Sequence, residues 1–296
     1  MAERQLAAGD ELYGFILEEI TPLAEYQGTG YLFRHIETKM EVYQVVNEDP
    51  ECFFGYLFRT LPCNDTGVAH IIEHCLLAGS ERYPVHDPFM TLLKGSANTF
   101  MNALTYPDRT VYPAASPLKK DFDNLFAVYT DAVFAPLLRE ETFWREGVRL
   151  VCNEEGCHYE GVVFNEMLGV SADHDAIVSR SAVQALFPDN PYSFESGGDP
   201  EAIINLSYQE FRSFYDQYYH PSNAKLFLFG RMEVGEKLAY LDEHYLRTRG
   251  MLQIDSIVPL ARRWDRERAV TFTSPMEEGG EEVKNASIIL SWATTE

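Results

Sequence analysis

Five consecutive residues, His70-Ile71-Ile72-Glu73-His74, constrain this chain more than any other stretch. Histidines four apart share one side of a helix, a single turn from each other. Glu73, three after His70, falls beside the same face. Ile71, Ile72, Leu76 and Leu77 supply a separate apolar stripe that must be buried. Asn64, Asp65 and Thr66 are good N-cap types and Gly79 is a natural stop, so the spacing predicts a helix of about three turns between them.

Two neutral imidazoles and a neighbouring carboxylate suit a metallohydrolase: the nitrogens hold one ion, and the acid takes a proton from metal-bound water. The order inverts the commoner H-E-x-x-H. With 8 His in 296 residues and about a tenth of positions Glu, roughly 0.02 such matches arise per chain by accident, so the motif is informative without deciding alone. The bland competitor is a helix with two surface histidines and a solvated Glu. A catalytic zinc also needs a third protein ligand. Glu154, Glu155, Glu160, Glu166, Asp173 and His174 are downstream candidates that composition does not separate. Glu166 has the most regular setting, opening a helix just after a β-like run.

Around this helix the hydrophobic period changes along the chain. Leu32–Ile36, Glu41–Val46 and Phe53–Thr60 read as strands of an antiparallel meander. A second strand pair is expected near Thr99–Thr105 and Thr110–Pro113. Phe122, Leu125, Phe126, Tyr129 and Val133 keep a helical stripe that Pro136 ends. Glu140–Leu150, a segment through Glu166 and Tyr208–Tyr219 read as further helices, and Lys225–Phe229 as a buried-type strand. Strands first, helices in the middle and a late return strand predict an α+β fold, an antiparallel sheet covered by helices. Beyond about residue 250, Arg262–Arg268 reads as a charged linker, Glu277–Glu282 as an acidic turn and Ala286–Trp292 as a strand.

The formal net charge of −22 repels phosphate backbones, so nucleic acid is a poor partner, and cationic peptides or metal ions are better ones. No apolar run reaches 18 residues, so no membrane span is expected. The N-terminus lacks a signal-peptide core and an Arg-rich transit pattern, which predicts a cytoplasmic protein. Five cysteines, Cys52, Cys63, Cys75, Cys152 and Cys157, fit reduced thiols, and no second pair exists to complete a zinc ribbon with Cys152 and Cys157.

The stretch Thr66-Gly67-Val68-Ala69-His70-Ile71-Ile72-Glu73-His74 resembles the inverted-zincin peptidases of the pitrilysin (M16) type, most closely their presequence-protease and falcilysin branch. Supporting blocks follow in the family's order: Gly79–Pro84, Asp87–Phe89, Thr99–Thr105, Val111–Pro113, Phe143–Gly147, Gly161–Met167, Ser196–Pro200 and His220–Ala224. Together they cover roughly residues 10 to 230, and several ordered blocks are far more specific than one pentapeptide. The resemblance implies a mitochondrial-processing-peptidase-like metallohydrolase fold and a zinc endopeptidase acting on short unstructured peptides. His70, His74 and Glu166 look like the zinc ligands and Glu73 like the general base. Ser96, Ala97, Asn98, Thr99 and Phe100 match an edge strand that pairs with extended substrate, and Asn102 matches an Asn near the scissile carbonyl. Relatives carry an acid one to two turns before the ligand Glu; position 159 here is Tyr and Glu160 is one residue off, so that role is left open.

Members of this branch look like long chains of four related domains in two halves. Residues 1–255 would then be the zinc-bearing domain, and 256–296 a linker and the first strand of a second, truncated one, with the missing C-terminal half as partner. A non-catalytic peptide-binding or scaffold domain of the same fold is the alternative.

Overall fold

A computed structural model describes residues 6–154, 156–273 and 286–294. The N-terminal strands β1 (Glu11–Leu12), β2 (Phe15–Leu23), β3 (Gly28–His35) and β4 (Glu41–Val46) run as an antiparallel ribbon. Alternation sets its faces: Phe15 and Leu17 are fully buried while Ile16 between them is 40% exposed. β5 (Cys52–Arg59) then leaves the meander. The late strand β11, Ala224–Gly230, lies between β4 and β5, parallel to the first and antiparallel to the second.

Between these two come the remaining elements. α1 is Val68–Leu76 and α2 is Pro88–Gly95. Short strands β6 (Phe100–Met101) and β7 (Leu104–Tyr106) both pair with β8 (Arg109–Ser116). The sheet order is β1-β2-β3-β4-β11-β5-β8-β6, which leaves β6 at its edge. The architecture is α+β, with one parallel pair where the sequence suggested an all-antiparallel sheet. A central position suits β11: its alternate residues Leu226 and Leu228 are buried, and both ladder edges are filled.

Helices cover one face. α3 (Lys119–Phe134) lays its stripe against β5, so Phe54 meets Phe122, Phe126 and Tyr129 at ring distances of 5.6, 5.4 and 5.4 Å. Burying one such ring stabilises the fold by about 1.5–3 kcal/mol. α4 is Glu140–Glu146, shorter than its pattern suggests, because Arg149–Asn153 (β9) and Gly156–Glu160 (β10) form a hairpin. α5 (Val162–Ala172) and α6 (His174–Leu186) follow, joined through Asp173, then the single turn α7 (Pro200–Ile203), α8 (Tyr208–Tyr218) and, after β11, α9 (Glu236–Leu241). The aromatic residues of α8 belong to the core, as Phe143–Phe211 at 4.9 Å illustrates.

Three further expectations are corrected. Cys152 and Cys157 face each other across the hairpin and are joined as a disulfide, whereas the sequence read all five thiols as reduced. Cross-strand pairing brings the two Cα atoms within 4.1 Å, a proximity that residue spacing alone does not reveal. Ser96–Thr99 are not strand: Ser96 closes α2, and the edge strand begins only at Phe100. Ala286–Trp292 form no strand, since a strand needs a neighbour to accept its backbone groups and none pairs with them among the described residues. The acidic turn at 277–282 lies outside the described residues. No helix is long and apolar enough to cross a membrane among the described residues.

Candidate metal centre

α1 is almost wholly interior: Ile71, Ile72 and Leu76 are fully buried, and even His70 and Glu73 are only 8% and 9% exposed. Its N-terminal turn is set not by Asn64, Asp65 or Thr66 but by Gly67, which is left-handed (φ 64°). A side chain there would collide with the Gly197 carbonyl at 2.6 Å. Asn64 instead caps the preceding turn by accepting from the Thr66 N–H, and Asp65 accepts from the Glu195 N–H.

His70 and His74 stack edge to face, their ring centroids 4.9 Å apart. Across from them α5 presents Glu166, whose Oε2 lies 3.7 Å from His70 Nε2 and 3.9 Å from His74 Nε2. These are the members of the one His/Cys/Asp/Glu group with converging ligand atoms among the described residues. A tetrahedral ion with bonds of about 2.0–2.2 Å spaces its ligand atoms about 3.3–3.6 Å apart, close to the two imidazole-to-carboxylate separations, and all three ligand atoms lie within 4.8 Å of one another. The donor set of two imidazoles and one carboxylate also suits zinc.

The imidazole nitrogens facing away from Glu166 are engaged. His70 Nδ1–H donates to the Gly197 carbonyl at 3.0 Å. A carbonyl only accepts, so this contact assigns the proton to Nδ1 and leaves the Nε2 lone pair for a metal. His74 Nδ1 lies 3.5 Å from Glu146 Oε2, at the end of α4. Burial works against charge on His74, but the Glu146 hydrogen bond and the field of Glu73, Glu146 and Glu166 outweigh it and raise its pKa. Burial likewise pushes the Glu146 carboxyl up, yet His74 and Arg145, whose Nε is 2.8 Å away, hold it below the usual range. Three acids around two imidazoles make a pocket that favours a cation.

Glu73 is buried on α1, next to His74 in the chain. Thr105 Oγ1, on β7, donates to its Oε2 at 2.6 Å. The other candidates for a third ligand are occupied elsewhere. Glu160 pairs with Arg149 and His158 at 2.9 and 3.0 Å. Asp173 caps α6 through the Ala176 N–H, His174 meets Ser287 Oγ at 2.9 Å, and Glu154 lies exposed in the hairpin turn. Glu155 lies outside the described residues.

The segment matched to substrate binding runs along the sheet edge. Thr99 and Asn102 donate their N–H groups to Ala115 and Pro113 of β8, and Phe100 is 44% exposed. Asn102 Oδ1 accepts from the Ala103 N–H. Ser96 is buried, its Oγ accepting from Asn98 Nδ2, and the Ala97 carbonyl accepts from Ser116 Oγ. On the outer side β6 has no strand partner among the described residues. The Ser196–Pro200 segment is a turn before α7, with Asp199 accepting the Glu201 N–H. His220 is structural, its Nδ1 accepting the Ser222 N–H, and burial raises the Cys75 thiol well above its usual range.

Sequence reasoning missed Glu146, Thr105 and Gly197 as supports of the site. All three lay inside quoted blocks, but neither helical spacing nor strand alternation indicates which loop returns to a given imidazole.

Comparison with known proteins adds a lineage. The family model described as insulinase (Peptidase family M16) matches residues 61–168, and that described as Peptidase M16 inactive domain matches residues 205–295. Presequence protease 1, chloroplastic/mitochondrial, of Arabidopsis thaliana is 49% identical over 226 residues, 75% of this chain and 21% of that protein. The mitochondrial presequence protease of Mus musculus is 37% identical over 294 residues, 97% of this chain and 28% of the relative. Protein HypA of Clostridium perfringens is 42% identical over 269 residues, 90% and 28% of the respective chains. The crystal structure of pitrilysin shares the fold with a TM-score of 0.61 at 18% identity, covering 80% of this chain and 25% of that one. The chain thus spans about a quarter of the length of these relatives.

Proposed function

The chain belongs to the M16 peptidase family, and on that premise we propose that it is the zinc-bearing domain of a metalloendopeptidase that cleaves extended, unstructured peptides. The observation that carries this reading is the convergence of His70 Nε2, His74 Nε2 and a Glu166 oxygen beside a buried Glu73. His70, His74 and Glu166 would hold the ion. When bound, zinc would supply a Lewis acid that polarises water and the scissile carbonyl.

The chain's own groups do the rest. Glu73 accepts a proton from water at its carboxylate and returns it to the leaving amine. Thr105 holds one of its oxygens, so the acid does not need to search for its orientation. The open edge of β6 accepts an extended peptide through main-chain hydrogen bonds, which bind many sequences alike. Phe100 and Asn102 face that peptide in this reading, and Ser96–Thr99 shape the approach to it. The acidic balance favours basic peptides. Residues 1–255 form the zinc-bearing domain and 256–296 lead into a second one, with the rest of a longer chain as the partner that completes the enclosure.

Glu73→Gln keeps the charge-independent shape of the side chain but removes the base. The expected result is retained zinc with peptide cleavage by the longer protein abolished; cleavage at the unaltered rate would reject the assignment.

A further inference from the structure

We propose that Arg180 is a positioning residue for the candidate metal site, acting on His70 through the loop that carries the Gly197 carbonyl. The proposal rests on the metal-site reading above, but it concerns a residue remote from the ion.

Arg180 lies on α6 and gathers three carboxylates. Its two terminal nitrogens both donate to Asp199 Oδ2 at 3.1 Å. Its Nε lies 3.6 Å from Glu195 Oε2, and Nη2 lies 3.6 Å from Asp65 Oδ1. A planar guanidinium reaches three acids in this way because its donors fork, whereas an ammonium brings a compact point charge on a single atom. The acids flank the two loops that meet at the site. Asp65 stands just before α1, and Glu195 and Asp199 bracket Gly197.

Those loops are zipped together. The Asp199 N–H donates to the Asp65 carbonyl at 2.7 Å, the Glu195 N–H to Asp65 Oδ1 at 2.8 Å, and the Gly197 N–H to Glu195 Oε1 at 3.1 Å. At the seam a Cβ on Gly67 would come within 2.6 Å of the Gly197 carbonyl oxygen and 2.7 Å of the Gly198 Cα. The carbonyl of Gly197 is therefore held against the first turn of α1, 3.0 Å from His70 Nδ1. Remove the guanidinium and three like charges share the seam with no cation among them, which favours its opening. The Gly197 carbonyl then leaves Nδ1, and His70 loses the contact that keeps its proton off Nε2. Arg180 also sits on the helix that follows the Glu166 helix after one residue, so the same cation ties both sides of the ligand set.

The test compares wild type with Arg180→Met and Arg180→Lys. Nitrogen NMR of the metal-free protein in mildly alkaline buffer reports the His70 tautomer, and chelator competition reports zinc affinity. Wild type should show His70 protonated at Nδ1. Arg180→Met should shift His70 toward the Nε2–H tautomer and weaken zinc by about 10–100-fold. Arg180→Lys should fall between, and it decides the matter if the Met variant does not fold. A variant that melts earlier yet keeps the wild-type tautomer and zinc affinity overturns the proposal, since Arg180 would then serve stability alone. If wild type takes up no zinc, the metal reading fails by itself, and the tautomer in metal-free protein still decides the role of Arg180.

Discussion

Thr105 Oγ1 lies 2.6 Å from Glu73 Oε2, joining the sheet edge to the acid on the buried helix. The same short strand thus neighbours the segment matched to substrate and fixes the group assigned as base. A hydrogen bond to a charged carboxylate contributes about 1.5–3 kcal/mol. Thr105→Val should therefore lower kcat of the longer protein by about 10–100-fold with KM little altered. An unchanged kcat would remove Thr105 from the account.

Glu146 supports His74 from behind, its Oε2 3.5 Å from His74 Nδ1. Glu146→Gln should weaken zinc binding by about 10–100-fold, as loss of an outer partner of a histidine ligand does. Glu160→Gln is the contrasting variant, because Glu160 is committed to Arg149 and His158. Chelator competition on both checks the pair; equal effects would contradict the assignment of Glu146.

Thiol chemistry separates the cysteines. Cys63 is exposed, Cys52 and Cys75 are buried, and Cys152 and Cys157 are joined. A chromogenic disulfide reagent should find one fast thiol in the native protein, three after denaturation and five after reduction. Five thiols in denatured, unreduced protein would show the hairpin bond to be absent.

His35 gives the stability a pH dependence. It is almost fully buried, its Nδ1 accepts the Thr38 N–H at 3.1 Å, and its Nε2–H faces Asp242 at 3.4 Å. Burial lowers its pKa; Asp242 and Glu37 oppose this, and Lys39 adds to it. A folded pKa below the unfolded value of about 6.5 means that the contribution is whole above that pH. It is lost as pH falls from there through the folded pKa, because the unfolded chain then binds the proton first. Urea denaturation across this window should show stability declining toward acid, with a shallower slope in His35→Gln. Identical slopes would show that His35 carries none of it.

Phe54 is the hub of the helix-to-sheet packing, touching Phe122, Phe126 and Tyr129. Phe54→Ala should cost about 3–5 kcal/mol in denaturant unfolding. A loss below 1 kcal/mol would mean that the cavity closes, contrary to a tightly filled interface.

What the sequence revealed was whatever follows from local period. The α3 stripe, the α1 helix and β11 as a buried strand could be read from residue spacing, and so could the nearness of His70 and His74. Glu166 could be singled out only by its setting and by resemblance, because α5 reaches α1 through a fold that no window of residues encodes. The place of β11 between β4 and β5 was invisible for the same reason: a ladder partner is chosen by the whole sheet. The β9–β10 hairpin was hidden because Arg149–Asn153 and Gly156–Glu160 are largely exposed, so neither has a buried face to impose the alternation that marks a half-buried strand. Gly67 took the cap position from Asn64, Asp65 and Thr66 because the seam with Gly197 admits no side chain, a tertiary demand that overrides N-cap preference.

Anomalous diffraction at the zinc absorption edge from crystals of the zinc-loaded protein reads the ligand set of His70, His74 and Glu166 directly. One strong peak should be found bonded to His70 Nε2, His74 Nε2 and a Glu166 oxygen at about 2.0–2.2 Å, with the Glu73 carboxylate beside it and not bonded to it. A peak elsewhere, or one that uses only the histidines while Glu166 points away, would contradict that ligand set.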